Sequence, residues 1–183
     1  VYTEGISKIT SVDFDYMKKM GCTIKLFGLS REVDGKYYAM VAPFVVNGDH
    51  PMSMVNDVFN AIFVHGNMLD DSMYYGRGAG KLPTASAVVS DVVDCARHLG
   101  KIIKCFWDAE EAPIKGIDDV EHKFFVRCDV GKEADALKLF ESLSPVDAGV
   151  EGEFGFITNK MSEKEFNAKA SELGIISRIR LVD

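Results

Sequence analysis

The sequence has no closely spaced pair of cysteines. Cys22, Cys95, Cys105 and Cys128 lie far apart with no Cys-x-x-Cys, which argues against both a zinc site and a disulfide framework and leaves them as buried, reduced thiols. His50, His65, His98 and His122 are equally scattered, and no metal site is expected. His98 falls near the carboxyl end of a helical pattern, where a partly protonated imidazole suits the dipole, and is assigned no chemistry. No apolar run approaches the ~20 residues that a membrane span needs, and no signal peptide opens the chain. Positive charge is not in excess either: 28 acidic against 21 basic residues give a net charge of −7, so nucleic acid and anionic membrane surfaces are poor partners. The expectation is a soluble cytoplasmic protein.

What is present is a real core and one unusual stretch. At 183 residues, 47% hydrophobic with 12 Phe, the chain has material for one or two domains. The stretch begins at Tyr75, where Gly76, Gly78 and Gly80 alternate through Gly76-Arg77-Gly78-Ala79-Gly80 and are followed by Lys81-Leu82-Pro83-Thr84. Beyond it Ala85, Val88, Val89, Val92, Val93, Ala96 and Leu99 recur at helical spacing, so the phrase reads as strand, glycine loop, helix. Glycine has no Cβ, so another group can approach such a backbone closely. Pro83 suits a first helical turn, and the free N–H groups of that turn with the helix dipole make a seat for an anion. The spacing is not the dinucleotide fingerprint, whose third glycine lies three residues after its second.

The whole phrase from Tyr75 to Asp91 resembles the late signature of homoserine dehydrogenase. So do Glu4-Gly5-Ile6 with Ile9, Gly21 with Ile24-Lys25-Leu26, Val41 with Pro43, then Pro51, Val55, Asn60-Ala61, Val64 and Gly66. These are similar to the second half of that enzyme's catalytic domain, and the chain from about His122 onward is similar to the ACT regulatory domain that many bacterial members carry.

The resemblance implies an oxidoreductase interconverting L-homoserine and L-aspartate 4-semialdehyde with NAD or NADP, in threonine, methionine and isoleucine biosynthesis. It places Gly80 against the cofactor first, Gly78 and Gly76 next, and Thr84 as a hydrogen-bond donor nearby. It assigns no catalytic residue here, because the family's nucleotide-binding Rossmann domain, catalytic lysine and substrate carboxylates precede the Glu-Gly-Ile segment. With Val at position 1, the expectation is a fragment of a longer polypeptide that turns over no homoserine alone and binds no cofactor tightly. Its expected partners are the missing amino-terminal half, a second copy in a homodimer or higher oligomer, and threonine as a possible effector. The competing reading is a non-catalytic amino-acid sensor built on an ACT-like domain.

The residues also predict elements. Thr10 and Asp13 start a helix, with Ile9 and Phe14 stapled across the cap, Phe14 and Met17 buried and Gly21 at its end. Strands follow at Ile24 to Leu29 and Tyr37 to Pro43, turned by Asp34-Gly35. A buried strand at Phe59 to Val64 and another at Ser72 to Tyr75 lead to the glycines, the next helix reaches Leu99, and Ile102 to Trp107 is a strand, with Trp107 filling a gap between domains. Residues 108–120 turn acidic around the breakers Pro113 and Gly116.

In the last segment strands at Lys123 to Asp129, Gly152 to Thr158 and Ile175 to Val182 alternate with helices at Glu133 to Leu143 and after the capping box Ser162-x-x-Glu165. The first of those helices is expected to turn Ala136, Leu137, Phe140 and Leu143 inward. A fourth strand is expected around Val146 to Val150, which would complete a βαββαβ order. The Pro-Gly usual after the first ACT strand is replaced by Gly131-Lys132-Glu133. The resulting expectation is α+β: a mixed sheet with helices on one face over residues 1–107, a linker at 108–120, and a ferredoxin-like ACT domain at 121–183.

Overall fold

The computed structural model describes residues 1–182. In chain order its elements are β1 (Tyr2–Thr3), α1 (Ser11–Met20), β2 (Cys22–Val33), β3 (Lys36–Asn47), β4 (Phe59–Gly66), β5 (Asp70–Arg77), α2 (Lys81–Arg97), β6 (Glu121–His122), β7 (Phe124–Asp129), α3 (Glu133–Leu139), β8 (Leu143–Val146), β9 (Glu153–Thr158), β10 (Met161–Ser162), α4 (Glu163–Leu173) and β11 (Ser177–Leu181). They form two compact units, one from residues 1–49 with 112–183 and the other from residues 50–111.

The larger unit is built on one mixed seven-stranded sheet in the order β1-β3-β11-β7-β9-β8, with β2 along the other edge of β3. β2 and β3 pair antiparallel over their full length around a two-residue turn. Asp34 (φ 54°) and Gly35 (φ 72°) both take positive φ there, the mirror-image turn that matches strand twist. On its second edge β3 receives β1 and β11, both parallel: Tyr2 lies opposite Met40, and Arg180 opposite Phe44. The segment after residue 112 thus continues the sheet begun by the first 49 residues.

Within residues 121–182 the order is βαββαβ. The four long strands lie β11-β7-β9-β8, antiparallel throughout, the ferredoxin-like layout. The fourth strand is Leu143–Val146, a little before the expected place, because α3 stops at Leu139. Pro145 explains both facts. Its ring disfavours helix at Ser144, and its missing N–H is tolerated on β8, which pairs only with β9. Leu143 is therefore a strand residue, and Leu137 is 49% exposed on α3.

Helices cover the two faces of the joint sheet, α1 on one and α3 and α4 on the other. Phe124, Val126, Cys128 and Phe156 meet Ala136 and Phe140 of the α3 region and Phe166, Ala170 and Leu173 of α4. Phe125, Ile179 and Val45 point the other way, onto Tyr16 and Met17 of α1. A fully buried Phe such as Phe124 or Phe156 stabilises by about 1.5–3 kcal/mol through the apolar area withdrawn from water. Gly155 of β9 lies against α1, where a Cβ would overlap the Tyr16 ring.

The caps follow the sequence closely. The Thr10 backbone N–H donates to Asp13 Oδ2 (2.7 Å) and Gly21 closes α1 at φ 65°. The Glu165 N–H donates to Ser162 Oγ (3.2 Å), and Met161 and Phe166 are both buried beside that cap. At α1 the staple differs. Phe14 is 52% exposed, and the helix instead buries Asp13, Tyr16 and Met17, because the face towards the sheet carries an ion cluster that needs Asp13 inside.

That cluster is one of two. Arg127 of β7 forks onto Glu153 (2.8 and 2.7 Å) and sends its other terminal nitrogen to Asp13 (2.7 Å) and Thr10 (3.2 Å). Arg180 of β11 forks onto Glu163 and reaches Glu4 (2.7 Å), which also meets Arg178 at 3.2 Å. Burial alone would raise the Asp13 and Glu4 carboxyls, but their arginine hydrogen bonds outweigh it and hold both below ordinary values. Both arginines are shifted upward: burial opposes their charge, yet the carboxylate contacts prevail.

A carboxyl group depressed in the folded state contributes stability that is complete above its unfolded pKa and lost as pH falls through the folded one. We therefore expect the urea midpoint to drop steeply below about pH 4, the unfolded carboxylate range. Asp13→Asn should flatten that dependence, and an unchanged slope in the variant would remove Asp13 from the account.

The smaller unit holds the antiparallel pair β4 and β5 and helix α2. From Phe59 to Val64, β4 alternates half-buried and exposed residues, and so is not the buried strand expected. α2 ends at Arg97 with His98 as its cap, and none of its side chains is buried; Val89 is 59% exposed. Residues 101–107 form no strand, and Trp107 is 90% exposed. An apolar run becomes a strand only where a sheet edge accepts its backbone N–H and C=O groups, and Ile102 to Trp107 meets none among the described residues. No helix among the described residues is long and apolar enough to cross a membrane.

Candidate functional site

The glycine stretch is the exit of a hairpin. β4 and β5 pair from Phe59 opposite Arg77 to Gly66 opposite Asp70, which puts Gly76 opposite Asn60. The Tyr75 ring stacks on Phe59 at 4.8 Å and 7°, and the Arg77 guanidinium lies over the same Phe59 ring at 5.1 Å. These contacts fix the last strand residues, and the Gly78 N–H donates to the Val58 carbonyl (3.2 Å) to hold the chain one step further. Gly80 then takes φ 114°, ψ 157°, as the cap of α2. Its carbonyl accepts the first helical hydrogen bond, from the Thr84 N–H at 3.1 Å. Pro83 is the third helical residue, where no intrahelical donor is needed.

The three glycines differ in what requires them. A Cβ on Gly78 would fall on the Asn60 side-chain amide, and Gly80 adopts a backbone conformation that side chains rarely take, with Pro83 Cδ 3.6 Å from where its Cβ would be. At Gly76 a Cβ would meet nothing within 4 Å. Residues 76 to 80 are all exposed, as is Thr84. The backbone N–H groups of Lys81 and Leu82 begin the helix without an earlier turn to bond to, so the loop offers bare backbone and a dipole's positive end on one surface.

Asn60 is the residue that sequence reasoning missed as part of this loop. The signal was available in the hairpin register, since pairing Phe59 with Arg77 necessarily sets Asn60 against the glycines. Among the described residues no three His, Cys, Asp or Glu side chains converge as metal ligands would.

The profile of homoserine dehydrogenase matches residues 1–93, a span that includes the hairpin, the glycines and most of α2. The chain belongs to the homoserine dehydrogenase family. It is 34% identical over 146 residues to the homoserine dehydrogenase of Bacillus subtilis, covering 78% of this chain and 34% of that protein. It is 44% identical over 98 residues to the Pseudomonas aeruginosa homoserine dehydrogenase, covering 54% of this chain and 23% of that one. Among solved structures, a homoserine dehydrogenase from Thiobacillus denitrificans superposes with a TM-score of 0.82 at 31% identity, over 100% of this chain and 47% of that one. A Staphylococcus aureus homoserine dehydrogenase superposes with a TM-score of 0.73 at 26% identity. The chain thus spans about a third of the first curated relative's length and about half of each solved structure.

Proposed function

We propose that this chain is the part of a homoserine dehydrogenase that supplies the second half of the catalytic domain (residues 1–107), a linker (108–120) and an ACT-like segment (121–183). The whole enzyme then interconverts L-homoserine and L-aspartate 4-semialdehyde, in the pathway to threonine, methionine and isoleucine. A bound NAD or NADP supplies hydride chemistry at the substrate's terminal carbon. The residues of this chain shape the space in which it would lie. Gly76, Gly78 and Gly80 keep side chains out of the space beside the hairpin exit, and Gly80 with Pro83 starts α2 so that its first N–H groups face the same space.

The observation that carries this reading is the bare backbone at Gly76. A Cβ there would meet nothing within 4 Å in its own unit, so its lack of a side chain is assigned to an outside group, the cofactor held mainly by a Rossmann half. That half of the same polypeptide and a second copy of the chain are the partners proposed. The bond-making groups lie outside these residues. The 183-residue chain alone should therefore oxidise no homoserine with either nicotinamide cofactor in a spectrophotometric assay, and clear turnover would refute the assignment.

A further inference from the structure

The two buried arginines share one wiring pattern. In each, the planar fork of Nε and Nη2 grips a carboxylate from the βαββαβ segment: Glu153 for Arg127, Glu163 for Arg180. In each, the remaining nitrogen Nη1 crosses to a carboxylate near the start of the chain: Asp13 for Arg127, Glu4 for Arg180. Sequence separations of 114 and 176 residues are bridged by single side chains. The sheet register places the two on opposite faces. Arg127 pairs with Ser177 on the side of Phe125 and α1, and Arg180 with Phe124 on the side of α4.

The ends of each bridge are themselves anchored. Glu163 is the first residue of α4 and is buried, and its backbone N–H donates to the Val120 carbonyl at 2.9 Å. Glu4 donates its own N–H to the Val41 carbonyl at 2.8 Å and accepts from the Tyr2 hydroxyl at 3.0 Å. Asp13 accepts from Ser177 Oγ of β11 at 3.1 Å besides Arg127. Because a guanidinium is rigid and planar, a carboxylate that shifts in the fork turns the whole group and moves Nη1 with it. A pair of lysines in these places would decouple the two ends.

We propose that Arg127 and Arg180 are two-ended latches through which the position of the βαββαβ segment, above all the first turn of α4 and the start of β9, is felt by residues 2–4 and 10–13. Anything that displaces α4, a bound effector or a neighbouring subunit, then loosens or tightens β1 without touching it. The coupling rests on this unit's geometry alone and stands whether or not the glycine loop meets a dinucleotide.

Residue-resolved hydrogen exchange on the 183-residue chain tests it. Glu163→Gln keeps the size of the side chain but removes the charge and replaces one of the fork's two acceptor oxygens with an NH2 donor. The Glu4 amide, bonded to Val41, should exchange about tenfold faster, within the range of couplings measured inside one ion network, while the amides of Phe124–Asp129 keep their wild-type rates. The reverse variant Glu4→Gln, at the more exposed end, should speed the Glu165 amide in the first turn of α4. Glu153→Gln should do the same to the Thr10 amide. An unchanged Glu4 amide in Glu163→Gln overturns the proposal, and so does equal acceleration of every amide, which marks a general loss of stability. Should Glu163→Gln fail to fold, Glu4→Gln decides: wild-type exchange at Glu165 overturns the latch.

Discussion

Arg180→Ala is expected to remove about 3–5 kcal/mol of folding stability, the cost of stranding a buried charge by deleting its partner. Arg180 is fully buried, and its loss leaves the Glu163 carboxylate, also buried, without the guanidinium that satisfies both its oxygens. Since a domain's whole stability is about 5–15 kcal/mol, the variant should sit near its unfolding threshold at ordinary temperature. Urea denaturation at pH 7 measures it. Replacing the network as a unit is a different experiment. Arg180→Met with Glu163→Leu and Glu4→Leu removes Arg180 and both of its carboxylate partners together, leaving Arg178 without Glu4 at the more exposed end, and apolar groups of similar volume often match or exceed a buried ion pair. The triple variant should recover most of what Arg180→Ala loses. A loss under about 1 kcal/mol in Arg180→Ala, the worth of an exposed pair, would show that these charges are solvated and not buried.

The second large effect is expected at the glycines, in the complete enzyme. Gly76→Ala introduces a methyl group where nothing of the hairpin lies within 4 Å, so the variant reports on outside contacts without disturbing its own unit. If the cofactor lies there, its dissociation constant should rise about 100-fold, the scale on which an ångström of misplacement acts in an enzyme site. The urea midpoint should not change. Gly80→Val should weaken the cofactor as well, but with a stability loss of its own, because φ 114° strains any side chain by about 1–3 kcal/mol. Titration of either nicotinamide cofactor by fluorescence separates the two. Wild-type affinity in Gly76→Ala would take that residue out of the site and leave the loop's openness unexplained.

Local structure was legible wherever a short-range signal decides it. Thr10 with Asp13, Ser162 with Glu165, and Asp34-Gly35 each name their own hydrogen bonds or dihedral angles within four residues, and the structure has them. Long-range pairing was not. Nothing in Phe44 and Val45 announces that Arg180 and Leu181 will lie beside them, since a strand's sequence records which of its faces is buried and not which strand lies alongside it. The burial of the arginines went unread for a related reason. A basic residue reads as solvated on average, yet Arg127 sits in the apolar run Phe124-Phe125-Val126-Arg127-Cys128, a context in which burial with a partner was the better reading. Ile102 to Trp107 erred in the opposite direction, apolar enough for a strand but meeting no edge among the described residues. At the site, three glycines were visible as a phrase, while the different need for each came only from φ at Gly80 and from Asn60 over Gly78.

The double edge of β3 has a consequence for how the molecule is made. As a ribosome delivers the chain, β2 and β3 can close their hairpin at once and β1 can cover Met40 and Val41, but the second side of β3 at Phe44 and Val45 stays an open template for stray strands until Ser177–Leu181 emerges and docks. Chains that stop before that point are expected to aggregate more readily than chains that reach Leu181, since distant pairings pay their loop-closure entropy before any contact repays it.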